Sequence, residues 1–372
     1  MRNKIFVSIF AVLLALLSVL TLVLPKKDFS PNENRMLATF PKLTAETLKS
    51  GKFTLGVSDY LTDHYVLRDF WVSLKTVTTL AVGKKENNGV YLGKGHTMID
   101  GFTDADTAQF GENCDALERF VAAAKSEYGV EVKTLIAPTA TQILADRLPA
   151  FAVTADALPL FERLGAIPGF VDVRNVLTEH KDEYIFYRTD HHWTDLGAYL
   201  SFTQYQAARG LTAAAHEAYA PETVSDAFYG TLYSRFGLFT WRYADTVCAP
   251  ADRGGVTMTN SKGEQTASIY SPAGLEGKDK YLYFLGGNDS KLEIETAANT
   301  GRSLLLVKDS YANSFLPYLI GEYDRITVVD MRFYAEPVLW LLRDGGYTDA
   351  LVLYNLKSFA SDQYVRFIDL SD

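Results

Sequence analysis

The sequence predicts an α/β protein with a mostly parallel sheet between helical layers. Two observations predict it. Residues 304–307, 326–329 and 350–354 read as short strands, the first of them all apolar, and the first two lead into helical patterns, at 311–320 and 336–344. Unbroken apolar strands of this kind suit a parallel sheet covered on both faces. In addition, each run ends in polar residues: Lys308-Asp309-Ser310, Asp330-Met331-Arg332 and Asn355-Leu356-Lys357-Ser358. In open α/β sheets, ligands collect at the carboxyl ends of the strands.

The remaining elements follow in order. Residues 5–24 form an apolar or small-polar run, with Arg2 and Lys4 before it and Lys26 and Lys27 after it. At 1.5 Å per residue, twenty helical residues cross about 30 Å of hydrocarbon. No small-residue cleavage pattern closes the run, so we expect an uncleaved signal anchor over 1–27. Residues 28–50 read as a polar, proline-punctuated tether, and 51–372 as the main domain. A helical pattern covers 53–82, with Asp63, His64 and Arg68 on it as an ion-paired face. A hairpin is expected around 87–95, a helix over 106–128 and a strand over 131–136 that ends before Pro138. A short strand over 170–173 and a helix over 175–180 come next. Residues 210–300 read as an insertion of loops and antiparallel strands, with one strand at 281–285.

Composition narrows the function. The 372 residues carry a net charge of −9, which argues against nucleic acid as a partner. The 22 Tyr and 22 Phe supply ordinary core and surface rings, or a groove in which rings stack on sugars. Two cysteines, Cys114 and Cys248, leave a disulfide open, and no CxxC suggests structural zinc.

The densest polar stretch is 187–199, Tyr-Arg-Thr-Asp-His-His-Trp-Thr-Asp-Leu-Gly-Ala-Tyr. Thr194 reads as the N-cap of a helix over 195–209. The entry 190–193 is then extended, which puts Asp190 and His192 on one face and turns His191 away. A carboxylate beside an imidazole can hold one ring nitrogen as N–H and leave the other as a base. The missing member is a nucleophile. Ser310, at a strand–helix junction, is the candidate, although a serine there also suits a plain helix N-cap. Trp193 is expected to pack behind the histidine. Tyr311 and Asn313 fall in the following helical turn, Asp195 in a first turn that favours acids, and Arg188 beside a carboxylate.

Asp190-His191-His192-Trp193 with Asp309-Ser310 resembles the SGNH-type acetyl-transfer proteins of alginate and related exopolysaccharide export. It is more similar still to the bacterial family named for the Asp-His-His-Trp signature. Glu33-Asn34-Arg35 with Leu37 and Pro41, the block 228–235, and Lys308-Asp309-Ser310-Tyr311 with Pro317 also resemble that family. Lys308 stands where the alginate relatives have glycine. The resemblance implies an SGNH-like three-layer α/β/α fold and a Ser310–His192–Asp190 triad. Asn355, Arg332 and Tyr311 are candidates for holding the oxyanion or substrate. It further implies ping-pong O-acetyl transfer, or acetyl-ester hydrolysis, on an extracytoplasmic polysaccharide or cell-wall glycan. The acetyl group would come from a membrane-bound O-acyltransferase, with no metal or other cofactor. A dinuclear Asp-His-His metal site is the first alternative, since those residue types also bind metal. A carbohydrate-binding or scaffolding subunit without catalysis is the second.

Overall fold

The computed structural model describes residues 2–370. Met1 of the expected anchor, and Ser371 and Asp372 of the expected main domain, lie outside the described residues. The chain divides into two compact units. Among the described residues, one holds those up to Asn88 together with Tyr233–Arg242, and the other holds Gly89–Leu232 and the residues from Tyr243 on.

In the first unit, α1 (Arg2–Val23) is long and apolar enough to cross a membrane, and almost none of its surface is covered. The stretch read as a tether carries its own structure. Strands β1 (Phe29–Ser30) and β2 (Arg35–Met36) pair antiparallel, and α2 (Ala45–Lys49) begins at a Thr44 capping box. The helix expected over 53–82 is two helices, α3 (Lys52–Asp63) and α4 (Arg68–Ala81). They part at Leu67, whose φ of 57° no helix interior accepts. Asp63 closes α3 and accepts from both guanidinium Nη atoms of Arg35, with Arg68 nearby. Strand β3 (Glu86–Asn87) ends this part of the unit.

The second unit carries the main sheet. Strands β4 (Val90–Leu92) and β5 (Met98–Asp100) form the expected hairpin. Helix α5 (Phe110–Tyr128) starts four residues later than predicted, after a 3₁₀ turn at Asp104–Thr107. Strand β6 (Glu131–Ala137) follows it, and then α6 (Ala140–Ile143) and α7 (Leu158–Gly165). The run 170–173 is not a strand. Phe170 makes a single bridge to Thr134, and the chain passes directly into α8 (Arg174–Glu179). Helix α9 (Asp195–Ala208) begins at Thr194, as its cap predicts.

The region 210–300 both covers and extends the sheet. Strands β7 (Glu222–Phe228) and β8 (Asp245–Ala249) pair with each other, on either side of α10 (Thr231–Phe236) in the chain. Strands β9 (Val256–Thr259), β10 (Gln265–Thr266) and β11 (Lys291–Thr296) add an antiparallel edge to the main sheet. The expected strand at 281–285 is instead a 3₁₀ turn, Lys280–Tyr283.

The expected parallel strands are β12 (Ser303–Lys308), β13 (Arg325–Val329) and β14 (Asp349–Asn355). Helices α11 (Ala312–Phe315), α12 (Val338–Gly345) and α13 (Leu356–Ser361) follow them in turn. The sheet order is β10-β9-β11-β13-β12-β14-β6. β12 pairs in parallel with β13 on one side and β14 on the other, and β14 pairs in parallel with β6. Side chains alternate along each strand. Leu304 and Leu306 join the core under α9 and α11, and Leu305 and Val307 join the core under α5 and α12. The result is three layers, α/β/α. The chain leaves β12 toward one neighbour and returns past it to the other. The carboxyl end of β12 is therefore a topological switch point, where α/β sheets open a crevice.

Candidate active site

Ser310 stands at that switch point, one residue beyond Asp309. The turn is braced from below. Asp309 is fully buried and accepts from Tyr311 N at 2.8 Å, Asn355 N at 3.0 Å and Asn355 Nδ2 at 2.6 Å. Burial pushes its carboxyl up, and these N–H groups oppose the push. Lys308, also fully buried, donates to Asn288 Oδ1 and Asn313 Oδ1, each at 2.8 Å. Burial pushes its ammonium down to about 8. With a lysine in this position Ser310 Oγ still meets His192 Nε2, and the lysine side chain runs to these amides. The helix after Ser310 is short: four α-residues and then a 3₁₀ turn containing Pro317. The continuous helix expected over 311–320 is thus not formed.

The imidazole arrives from 118 positions earlier in the chain. Residues 184–194 form a closed loop. Phe186 bridges Trp193, Thr194 N donates to Ile185 O at 2.9 Å, and Thr194 Oγ1 donates to Tyr184 O at 2.6 Å. The tip of the loop is held by Asp245, which sequence reasoning passed over. Its buried carboxylate accepts from Tyr184 Oη, Arg188 N, Thr189 N and Thr189 Oγ1, all at 2.6–2.7 Å. Arg188 lies over the Tyr184 ring rather than beside a carboxylate.

The tip presents three groups in a row. His192 Nε2 lies 2.8 Å from Ser310 Oγ, and His192 Nδ1 lies 2.5 Å from Asp190 Oδ1. Asp190 Oδ1 also accepts from His192 N at 3.0 Å. Asp190 Oδ2 accepts from Thr231 N at 2.8 Å and Thr231 Oγ1 at 3.0 Å. Burial would raise the Asp190 carboxyl, but the two imidazoles and these hydrogen bonds hold it well below the usual range.

The tip bends, so the extended-chain reading of 190–193 fails and His191 does not turn away. Its ring lies 3.9 Å from the His192 ring, and its Nδ1 meets Thr231 Oγ1 at 2.8 Å. Desolvation and His192 push the His191 imidazole down to about 4.

The Tyr281 and Tyr311 rings flank the histidine, and Trp193 packs on Tyr311. Tyr281 stacks on His192 with centroids 3.8 Å apart, and its Oη donates to Ser310 O at 2.9 Å. Trp193 packs behind, as expected, and donates from Nε1 to Tyr311 O and Ser314 Oγ at 3.0 Å. Tyr311 is buried, and its Oη donates to His191 O at 2.5 Å. The remaining candidates are committed elsewhere. Asn355 Nδ2 donates to Asp309 and to Ser358 Oγ, while its Oδ1 caps α13. Arg332 donates from Nε and Nη2 to Asp330. Among the described residues, no acceptor takes the Ser310 N–H.

Asp190, His191 and His192 place three metal-ligand atoms within 4.8 Å of one another. Both oxygens of the carboxylate are already filled by N–H and O–H donors, and the Nδ1 atoms face Asp190 and Thr231. Hydrogen bonding thus accounts for the cluster. Cys114 and Cys248 are both free thiols, the first buried.

A three-layer sheet with a serine at its switch point and an Asp–His pair facing that serine defines an SGNH-like α/β protein. Residues 130–329 match the family model described as DHHW protein, and the chain belongs to that family. No curated protein matches it. Among solved structures, it is similar to a DHHW family protein from Eubacterium siraeum. The two share 25% identity with a TM-score of 0.60 over 77% of this chain and 98% of that one. It is also similar to Bacillus cereus PatB1 solved with a sulfonyl adduct, at 17% identity and a TM-score of 0.59, covering 75% of this chain and 99% of that one. The O-acetyltransferase domain of Pseudomonas putida AlgJ matches at 14% identity with a TM-score of 0.47, over 76% of this chain and 98% of that one.

Proposed function

We propose that this protein transfers or hydrolyses acetyl groups on an extracytoplasmic polysaccharide through a covalent Ser310 ester. The single observation that carries the reading is the continuous line Ser310 Oγ, His192 Nε2, His192 Nδ1 and Asp190 Oδ1, with links of 2.8 and 2.5 Å. His192 takes the Ser310 proton as Oγ attacks the acetyl carbonyl. Asp190 stabilises the imidazolium and holds its tautomer. The oxyanion forms beside the uncommitted Ser310 N–H. His192 returns the proton to the leaving oxygen, and a sugar hydroxyl or water then takes the acetyl group from Ser310. Asn355 supports this geometry through Asp309, and it would have to release Asp309 or Ser358 to donate to an oxyanion. Arg332 would likewise have to turn from Asp330, and Tyr311 serves by fixing the main chain of His191.

In this reading α1 is a single-pass anchor that keeps the rest of the chain outside the cytoplasm, within reach of glycan. A membrane-bound O-acyltransferase would supply the acetyl donor. The test uses the full chain in detergent with an aryl acetate and a sulfonyl fluoride. Wild type should release the phenol and carry one sulfonyl group on the peptide containing Ser310. Ser310→Ala should do neither. Hydrolysis and labelling that survive Ser310→Ala remove the serine from the reaction.

A further inference from the structure

Helix α4 is amphipathic in the reverse sense. The residues it buries are polar, Ser73 and Thr76, with Val72 and Leu80 half-buried beside them. Ser73 Oγ accepts from Phe239 N, and Thr76 Oγ1 faces the carbonyls of Phe236 and Gly237. Its outward face is apolar. Leu67, Phe70, Trp71, Leu74 and Val77 recur at three- and four-residue steps, and all are exposed, Leu67 by 64% and Phe70 by 55%. A helix facing water ordinarily shows the opposite arrangement, and an exposed apolar stripe of this length marks a contact surface.

The start of the stripe identifies what covers it. Val66 N donates to Thr21 Oγ1 at 3.2 Å, and Trp71 Nε1 donates to Val66 O at 3.1 Å. Thr21 is in the last turn of α1, and Leu20 and Leu24 line one cleft with Leu67 and Phe70. Thr21 precedes the end of the apolar run by three residues, about 4.5 Å of helix rise. If α1 spans the hydrocarbon, the head of the stripe sits at the boundary between acyl chains and headgroups. Lys26, Lys27, Arg68 and Lys75 flank it, as cations do at that level. Trp71 is the residue type that concentrates there.

We propose that the outward stripe of α4 is seated in the lipid interface, as a second membrane contact beside the anchor. The inference rests on reading α1 as membrane-spanning. The test reconstitutes the full chain in phosphatidylcholine vesicles with or without brominated acyl chains. The emission difference between wild type and Trp71→Phe isolates Trp71 among the four tryptophans. Should that variant fold poorly, judged by circular dichroism, wild type is compared instead with Leu74→Trp, which reads depth from the same face. The stripe tryptophan should be quenched at least twofold by bromolipid and little by aqueous iodide. Quenching by iodide alone places the stripe in water and overturns the proposal. Shielding from both quenchers means that protein covers it, from a partner or a second copy, and overturns it equally. Failure of the protein to float with vesicles instead removes the anchor reading itself.

Discussion

The phenol of Tyr281 lies flat on the imidazole of His192, with centroids 3.8 Å apart and planes 11° apart, and the same phenol donates to Ser310 O. One residue thus holds both the His192 ring and the Ser310 turn. Tyr281→Phe keeps the stack and loses the hydroxyl's bonds to Ser310 O and Ser314 Oγ. It should cost about 1 kcal/mol of stability, because the one O–H removed is shared between Ser310 O and Ser314 Oγ, and lower kcat by less than about tenfold. Tyr281→Ala releases the ring, and loss of alignment should lower kcat by about 10²-fold with KM little changed. Aryl acetate kinetics with thermal unfolding separates the two.

The two adjacent histidines should behave differently. His192→Ala should abolish turnover. Asp190→Asn should lower kcat by about 10⁴-fold, since an amide cannot stabilise the imidazolium. With its imidazole pushed down to about 4, His191 is neutral at physiological pH, and its Nδ1 is engaged by Thr231 Oγ1. His191→Ala should therefore stay within about tenfold of wild type, with the pH–rate profile unmoved above pH 5. A collapse of activity in His191→Ala would contradict this division of roles.

Gly230 lies against the Asp190 carboxylate, which in the proposed reaction orients His192. A Cβ at this position would come within 2.3 Å of Asp190 Oδ2, far inside contact distance. Gly230→Ala must displace Asp190, and a shift of about 1 Å should lower kcat by about 10²-fold. A variant with native kcat would show that the loop relaxes without cost.

Lys308 gives a stability prediction with a defined sign. Burial lowers its pKa from 10.5 to about 8 in the folded chain. Between pH 8 and 10.5 the unfolded chain holds a proton that the folded chain has released, so stability rises with pH across that window. The contribution is complete above 10.5 and is lost as pH falls through 8. Urea unfolding of wild type and Lys308→Met from pH 7 to 10.5 should show the difference moving in favour of wild type as pH rises. A constant difference would mean that the ammonium is not desolvated.

Much of the architecture was legible in the sequence because local chemistry determines it. The all-apolar run of β12 suits burial on both faces, Thr194 caps α9 whatever surrounds it, and an apolar or small-polar run fills α1 from residue 5. Asp190, His192 and Ser310 could likewise be named from the chain as candidates, and the fold brings them into contact. What the tertiary structure decided is where distant pieces meet. Tyr281, Thr231 and Asp245 carry no local sign of their roles, because those roles exist only once remote segments close around the loop 184–194. The break at Leu67, the bend that brings His191 back to the site and the addition of β9 and β11 to the sheet are of the same kind. In each case, packing and hydrogen bonding across the fold outweigh the weak preferences of a short segment.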